Sequence, residues 1–135
     1  MTDNLHKFLE QQFTDFTGIP ISLKNGFYSS FMINKINYYT YSNSNHNDGF
    51  IISESTEFFQ PHPSSLSIIT NLKKETIDNK KQILSLSHGK SIENNKNFSN
   101  PIIVEDSHKR LIALCKIKDN MLIPIIDIGM YLRLE

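Results

Sequence analysis

The first apolar pattern along the chain is helical. In residues 3–16 (DNLHKFLEQQFTDF), leucine and phenylalanine recur at intervals of three and four, so they share one face of a helix. Thr2 or Asp3 can cap the start of this helix, and Gly18 followed by Ile19-Pro20 can end it. The pattern therefore predicts a helix over residues 3–16.

The next segments predict a short helix and then a hairpin. In residues 21–35, Ser22 is a candidate cap, and apolar residues spaced by four predict a short helix. Residues 36–41 and 50–54 are rich in β-branched and aromatic side chains, which predicts two strands. The polar segment between these strands contains Asp48-Gly49, a strong turn signal.

A longer helix is predicted after the two prolines of QPHP (60–63). A serine at 64–65 can cap it, and an apolar side with an opposing lysine-rich side continues to about Lys81. Residues 83–87 (ILSLS) alternate between apolar and polar, which predicts a strand, and His88-Gly89 would form the following turn.

Three β-rich runs dominate the C-terminal third, after a segment at 91–100 whose lack of periodicity predicts a loop. These runs are 101–105, 110–118 and 121–128. The last two would form a tight hairpin at Asp119-Asn120, with the final strand at an edge or bulged at Pro124. This order predicts an α+β fold, an antiparallel sheet with helices packed mainly on one face. The length predicts one domain over residues 1–135.

The charge balance argues against several classes of partner. The chain has 14 basic and 14 acidic residues, whereas nucleic-acid binders usually carry a basic excess, so no nucleic-acid contact is expected.

No apolar run approaches the roughly 18 residues needed to cross a membrane, and the N-terminus does not resemble a signal peptide. The single cysteine, Cys115, excludes an internal disulfide. We therefore expect a cytoplasmic protein with no membrane contact. The 19 isoleucines, 14 asparagines and 12 lysines are typical of an AT-rich, bacterial genome.

The sequence contains few groups that could perform chemistry. His46 and Asp48 lie two residues apart in a polar loop, but no third ligand accompanies them, so we expect a turn and no metal site. His62 lies between two prolines and is either held rigidly for a site or simply exposed. No catalytic residue and no cofactor are expected. A small enzyme is the third alternative, and it needs a cleft in which Cys115 or an acid meets His62, His88 or His108.

The aromatic hairpin is the best candidate for a binding site. Aromatic side chains that alternate on a hairpin usually fill a core, but they also line apolar pockets, where tyrosine hydroxyls orient the ligand. In LIALCKI the alternation places Ala113 and Cys115 on one face, where two small side chains leave space if that face lines a cavity. Otherwise the thiol packs in a core. The predicted ligand-binding residues are Tyr38, Tyr39, Tyr41, Phe50, Phe59, Ala113 and Cys115.

Two stretches resemble bacterial sensory domains. INYYTY…NDGFIISES (36–55) resembles the hairpin in the N-terminal ligand-sensing halves of LuxR-type transcription regulators. NPIIVEDSHKRLIALCKI (100–117) resembles the closing hairpin of PAS domains. The resemblance implies a PAS/GAF-like fold and a regulatory sensory domain in bacterial signalling or transcription control. Such a domain would bind a small, mostly apolar ligand or a partner protein.

An interaction protein without a small ligand is the main alternative. It would be an adaptor, a secretion chaperone or an inhibitor, and it would use an exposed sheet edge or the helix at 3–16. Either surface could also form a homodimer.

Overall fold

The chain forms two compact units, Met1–Asn71 and Leu72–Glu135, each with its own sheet and buried core. The computed structural model describes residues 2–44 and 49–130. The predicted α+β class is confirmed, because each unit combines a mainly antiparallel sheet with a helix. The single domain over 1–135 stays a prediction. No helix within the described residues is long and apolar enough to cross a bilayer.

The first unit begins with helix α1, Thr2–Thr17, as the apolar pattern predicted. Its inner face contributes Leu9 and Phe13, which are both fully buried. Thr17 closes the helix, since its hydroxyl donates to the carbonyl of Phe13 at 2.8 Å and accepts from the amide of Ile19 at 3.2 Å. The amide of Gly18 also donates to the carbonyl of Thr14 at 2.8 Å, which is one of the last four carbonyls that a helix leaves without a partner inside it.

Four antiparallel strands follow α1 and lie in sequence order in one sheet. They are β1 Phe27–Ile33, β2 Ile36–Ser42, β3 Phe50–Ser55 and β4 Phe59–Pro61. A short 3-10 helix, Pro63–Ile68, comes next, and Ile69 then bridges to Leu23. The predicted strands at 36–41 and 50–54 are thus confirmed as β2 and β3. The predicted turn at Asp48-Gly49 begins in residues 45–48, which lie outside the described residues.

The predicted short helix at 21–35 is wrong, because Phe27–Ile33 in this segment form the strand β1. Phe27 and Phe31 are four residues apart, which suits one face of a helix. Four is also an even number, so the same two side chains share one face of a strand. A two-residue turn at Asn34-Lys35, with φ of 53° and 67°, joins β1 to β2 in the geometry typical of tight hairpins.

The second unit contains a five-stranded sheet and one helix. Its elements are β5 Lys73–Thr76, α2 Lys80–Ser87, β6 Ile92–Glu93, β7 Ile102–Glu105, β8 Leu111–Lys118 and β9 Met121–Asp127. The strand order is β5-β7-β8-β9-β6, and α2 packs against β8 and β9. Only the β5–β7 pair among these strands is parallel, unlike the fully antiparallel sheet that was predicted. The three predicted C-terminal strands are confirmed.

The predicted helix from 64–65 to Lys81 and the predicted strand at 83–87 are both wrong. The first turns are a 3-10 helix, and the chain then extends into β5, which pairs with β7 far along the sequence. Such long-range pairing leaves no trace in local periodicity. Helix α2 begins only after Asn79, whose side-chain oxygen accepts from the amide of Gln82 at 3.1 Å.

The predicted irregularity at Pro124 is confirmed. Pro124 lies opposite Cys115, next to a register shift between Leu114 and Cys115. The short strand β6 covers only Met121 and Leu122 of β9. A proline has no N–H for a ladder hydrogen bond, and it is tolerated here because β6 does not extend to Pro124 and the pairing with β8 is shifted beside it.

Candidate functional site

The tyrosines of β2 divide between the two faces of the first sheet. Tyr39 and Tyr41 are buried on the face that α1 covers, where the Tyr39 ring lies 6.0 Å from that of Phe8. Tyr38 points to the opposite face and stacks on Phe31, with ring centroids 5.3 Å apart. The period of two along a strand therefore separates Tyr38 from the other predicted site tyrosines.

Phe59 belongs to the core of the first unit. Its ring meets Phe13 edge-on at 5.1 Å and lies 6.3 Å from Tyr39. Such edge-to-face pairs contribute about 0.5–1.5 kcal/mol beyond the apolar area they bury. Tyr39 and Phe59 are thus brought together, as part of the packing under α1.

Tyr41 and Phe50 come together at a groove in the first unit. Their rings are 5.9 Å apart at an interplanar angle of 63°, and 40% of the Phe50 residue surface is exposed. The groove has a volume of about 470 Å³. Its main lining residues are Lys24, Tyr41, Asn43, Phe50, Ser67 and Ile68. Small-ligand sites commonly have volumes of about 300–1,000 Å³, so this groove is large enough for a single-ring or two-ring compound.

Gly49 allows β3 to begin close to β2 beside the groove. Its φ is +72°, a conformation that side chains other than glycine rarely adopt. A Cβ atom at this position would lie 2.2 Å from the carbonyl oxygen of Tyr41. The close approach of the two backbones holds Phe50 directly across from Tyr41.

Two tyrosine hydroxyls fix the segment that carries Lys24. The hydroxyl of Tyr41 donates to the carbonyl of Asn25 at 3.0 Å, and that of Tyr28 donates to the carbonyl of Lys24. The amide of Lys24 in turn donates to Ile68 at 2.7 Å. Burial raises the pKa of Tyr28 above its ordinary value, with smaller contributions from Tyr41 and Glu10, so this hydroxyl stays a donor. The base of the Lys24 side chain is therefore held in place.

Ala113 and Cys115 belong to the second unit and are fully buried in its core. Their neighbours in this apolar cluster include Ile102, Ile112 and Leu122. Burial, with a smaller contribution from Asp127, raises the pKa of the Cys115 thiol to about 12. The thiol is therefore protonated and unreactive at neutral pH. A ligand-lining role for this pair stays a prediction.

His62 meets an acid, as the enzyme alternative requires. Its Nε2 lies 2.9 Å from Oε1 of Glu54, and both side chains are largely buried. The two adjacent serine hydroxyls donate elsewhere, Ser64 to Ile51 O at 2.5 Å and Ser65 to the carbonyl of His62 at 2.7 Å. Neither hydroxyl is therefore directed at the imidazole, and the pair ties β3 to the 3-10 helix.

The remaining polar candidates fall in turns. His88 follows the end of α2, and its amide donates to Leu84 O at 3.1 Å. The amide of His108 donates to the carboxylate of Asp106 at 2.9 Å in the β7–β8 turn. His46 and Asp48 lie outside the described residues. Over residues 2–44 and 49–130, no group of three or more His, Cys, Asp or Glu side chains could hold a metal ion.

The sequence interpretation missed Lys24, Ser67 and Ile68 as lining residues. Lys24 was concealed by the predicted helix at 21–35. The dipeptide Asn25-Gly26 is a turn signal that argues against that helix. A Cβ on Gly26 would lie 2.4 Å from the Tyr41 ring, so a glycine is needed where this turn crosses Tyr41.

Comparison with known proteins corrects the resemblance to sensory domains. No family model matches the chain, and no curated protein matches it. The chain is similar to a solved structure described as a conserved PUA domain protein from Thermoplasma acidophilum, at 12% identity and a TM-score of 0.47. That alignment covers 95% of this chain and 82% of the other. The TM-score is too low to establish a shared fold.

The resemblance to PAS/GAF-like domains of LuxR-type regulators is therefore wrong. The two stretches that carried it lie in different sheets, 36–55 in the first and 100–117 in the second. Alternating strands joined by polar turns recur in many unrelated sheets, so neither stretch identifies a family.

Proposed function

We propose that this chain is a regulatory binding domain whose first unit takes a small ligand in the groove between Tyr41 and Phe50. The ligand would combine a flat apolar ring with an anionic or hydrogen-bond-accepting group. The observation that carries the proposal is that the partly exposed Phe50 and the positively charged Lys24 both line one groove of about 470 Å³.

Each part of the lining favours one part of such a ligand. The exposed ring of Phe50 offers a face for stacking, and Ile68 adds a buried apolar contact. Lys24 offers a positive charge, while Asn43 and Ser67 offer polar contacts at the groove. These groups hold and orient a ligand, and occupancy of the groove would stabilise the folded first unit by mass action.

The cytoplasm is the compartment proposed for this domain. Its single cysteine, Cys115, is a buried free thiol, which is the usual state in a reducing compartment.

Calorimetric titration with matched probes tests the ligand proposal. The probes are benzoate and indole-3-carboxylate, each compared with its uncharged primary amide. We expect Phe50→Ala to weaken the binding of all four probes by about 5–10-fold, because roughly 1 kcal/mol of ring contact is lost. Lys24→Gln should weaken only the carboxylates, because the amides carry no charge for the ammonium to attract.

Matched variants outside the groove serve as controls. Phe58→Ala removes another exposed phenylalanine, and Lys7→Gln removes another exposed lysine. Both should bind the probes as the unmodified protein does. The proposal is wrong if no probe binds at millimolar concentration, or if Phe58→Ala weakens binding as much as Phe50→Ala.

A further inference from the structure

Strand β1 is an outer strand of the first sheet with an unusually apolar surface. Its sequence, FYSSFMI, contains no charged residue and no proline. Four of its large apolar side chains are exposed, namely Phe27 (40%), Phe31 (41%), Met32 (63%) and Ile33 (54%). A long, uncharged edge strand presents unpaired backbone groups to which another strand can add.

The other sheet edges carry features that oppose strand addition. On β5 the residues Lys73, Lys74 and Glu75 are charged. Strand β4 has three residues and ends at Pro61. Strand β6 pairs with only two residues of β9, and Pro124 lies in the part of β9 that β6 leaves unpaired. Charges, prolines and short lengths are the devices by which edges avoid pairing. Among the described strands, β1 is the long edge that lacks them.

The open side of β1 has a defined set of backbone groups. Ile33 and Ile36 flank the two-residue turn, so they form a hydrogen-bonded pair of the hairpin. The pairing with β2 continues without a register shift, and hydrogen-bonding direction alternates along a strand. The amides and carbonyls of Tyr28, Ser30 and Met32 therefore point away from β2.

We propose that β1 pairs antiparallel with β1 of a second copy of this chain, about a two-fold axis at Ser30. In this register Ser30 lies opposite the partner's Ser30, and Tyr28 lies opposite the partner's Met32. The three outward-pointing residues of each chain then form three hydrogen-bonded pairs, or about six new hydrogen bonds. A shift of the axis by one residue would lose one of these pairs, so the central register is favoured.

The side chains of β1 complement themselves in this arrangement. Phe27 faces the partner's Ile33, which matches two large apolar groups on the same face of the sheet. Ser29 faces the partner's Phe31, which sets a small side chain against a large one. Opposed apolar pairs of this kind stabilise antiparallel strands.

Charge does not oppose a second copy as the occupant. Just beyond the strand, the same register sets Asn25 opposite the partner's Lys35, so no like charges oppose each other across the pair. A two-fold interface requires a patch that matches itself, and the neutral, apolar β1 does so.

The dimer should be weak and dependent on concentration. A single pair of strands with four exposed apolar side chains buries less than the roughly 1,200 Å² of total surface that marks stable interfaces. We therefore expect a dissociation constant on the order of 10–100 μM, which sedimentation equilibrium over 1–500 μM would resolve.

Disulfide trapping tests both the dimer and its register. Ser30→Cys places two thiols directly opposite each other, with Cα atoms about 5.5 Å apart, within disulfide range. Ser29→Cys is the matched control, because its two thiols would be offset along the strands with Cα atoms about 8 Å apart. The native Cys115 is fully buried and does not contribute. Mild oxidation should link most of the Ser30→Cys protein and little of the Ser29→Cys protein.

A charge placed on the edge provides the second arm of the test. Phe31→Lys should leave the protein monomeric at 500 μM, while Phe58→Lys, in an exposed loop, should leave dimerisation unchanged. Circular dichroism checks that both variants are folded. A monomeric unmodified protein at 500 μM would overturn the dimer, and equal linking of the two cysteine variants would overturn the register. The groove proposal is independent of both outcomes.

Discussion

The turn between β1 and β2 allows a direct test of the fold, because one of its residues is poorly suited to its backbone conformation. Asn34 and Lys35 have φ of 53° and 67°. Asparagine tolerates this left-handed region, whereas an ordinary side chain costs about 1–2 kcal/mol there. The favoured pair in such a turn is Asn-Gly. We therefore expect Lys35→Gly to raise the free energy of unfolding.

The expected gain is modest and has a clear sign. Replacing lysine removes the left-handed strain, but glycine also gives the unfolded chain more freedom, which offsets about 0.5–1 kcal/mol. Lys35 is exposed, so little side-chain packing is lost. The net stabilisation should be about 0.5–1 kcal/mol.

Urea unfolding followed by circular dichroism measures this change. With a slope of about 2 kcal/mol/M, the midpoint for Lys35→Gly should rise by about 0.3–0.5 M while the slope is unchanged. Lys118→Gly is the matched control, because Lys118 is an exposed lysine in β8 that precedes the Asp119-Asn120 turn. Glycine within a strand costs about 0.5–1 kcal/mol, so this midpoint should fall. If both variants lower the midpoint, the assigned turn geometry is wrong.

Two further predictions concern buried polar groups. Ser53 is fully buried, and its hydroxyl has no hydrogen-bond partner within the described residues, so Ser53→Ala should raise the melting temperature or leave it unchanged. Ser65→Ala, which removes a buried hydroxyl bonded to His62 O, should lower it, and equal effects of the two would contradict this reasoning. Burial raises the pKa of Asp106, but hydrogen bonds from Arg110 and His108 and the Arg110 charge outweigh it and hold the pKa below its usual range. The ionised Asp106 therefore stabilises the protein above about pH 4, and this stabilisation is lost as pH falls through the lowered pKa. The gap in urea midpoint between the unmodified protein and Asp106→Asn should thus shrink between pH 6 and pH 2.5, and a constant gap would refute the assignment.

The sequence predicted best the elements whose signals are local. Helix α1 has a continuous apolar face and residues that end it, and the hairpin at Asp119-Asn120 has a turn pair that accepts positive φ. Both depend on neighbours within a few positions, which is what periodicity and turn chemistry report.

The elements that failed depend on partners far along the chain. Strand β5 exists because β7 lies beside it, and no local pattern in Lys73–Thr76 indicates this. Residues 83–87 alternate in polarity, yet α2 needs only Leu86 fully buried and tolerates an exposed Leu84. In a short helix with one buried position, the 3.6-residue periodicity of apolar side chains is too weak to distinguish the helix from a strand.

The candidate site was predicted in part. Tyr41 and Phe50 were found because aromatic residues on a hairpin are conspicuous in the sequence. Lys24 was not predicted as a site residue. It lines the groove but lies in an irregular segment just before the turn at Asn25-Gly26, outside any helix or strand with a periodic pattern. Residues next to a turn do not follow the two-residue spacing of strand residues, so a search for that spacing does not find them.

Pro124 and the charged strand β5 would determine how far the proposed assembly can proceed. If β1 pairs with a second copy about a two-fold axis, each chain has used the one long edge that accepts a strand, and the remaining described edges are short, charged or interrupted by proline. Association then stops at two chains, because an isologous contact closes on itself and presents no surface for a third. The same apolar edge in a protein with a second open edge would instead support an indefinite filament. In the proposed dimer, the placement of one proline and two lysines would thus limit the assembly to a finite size.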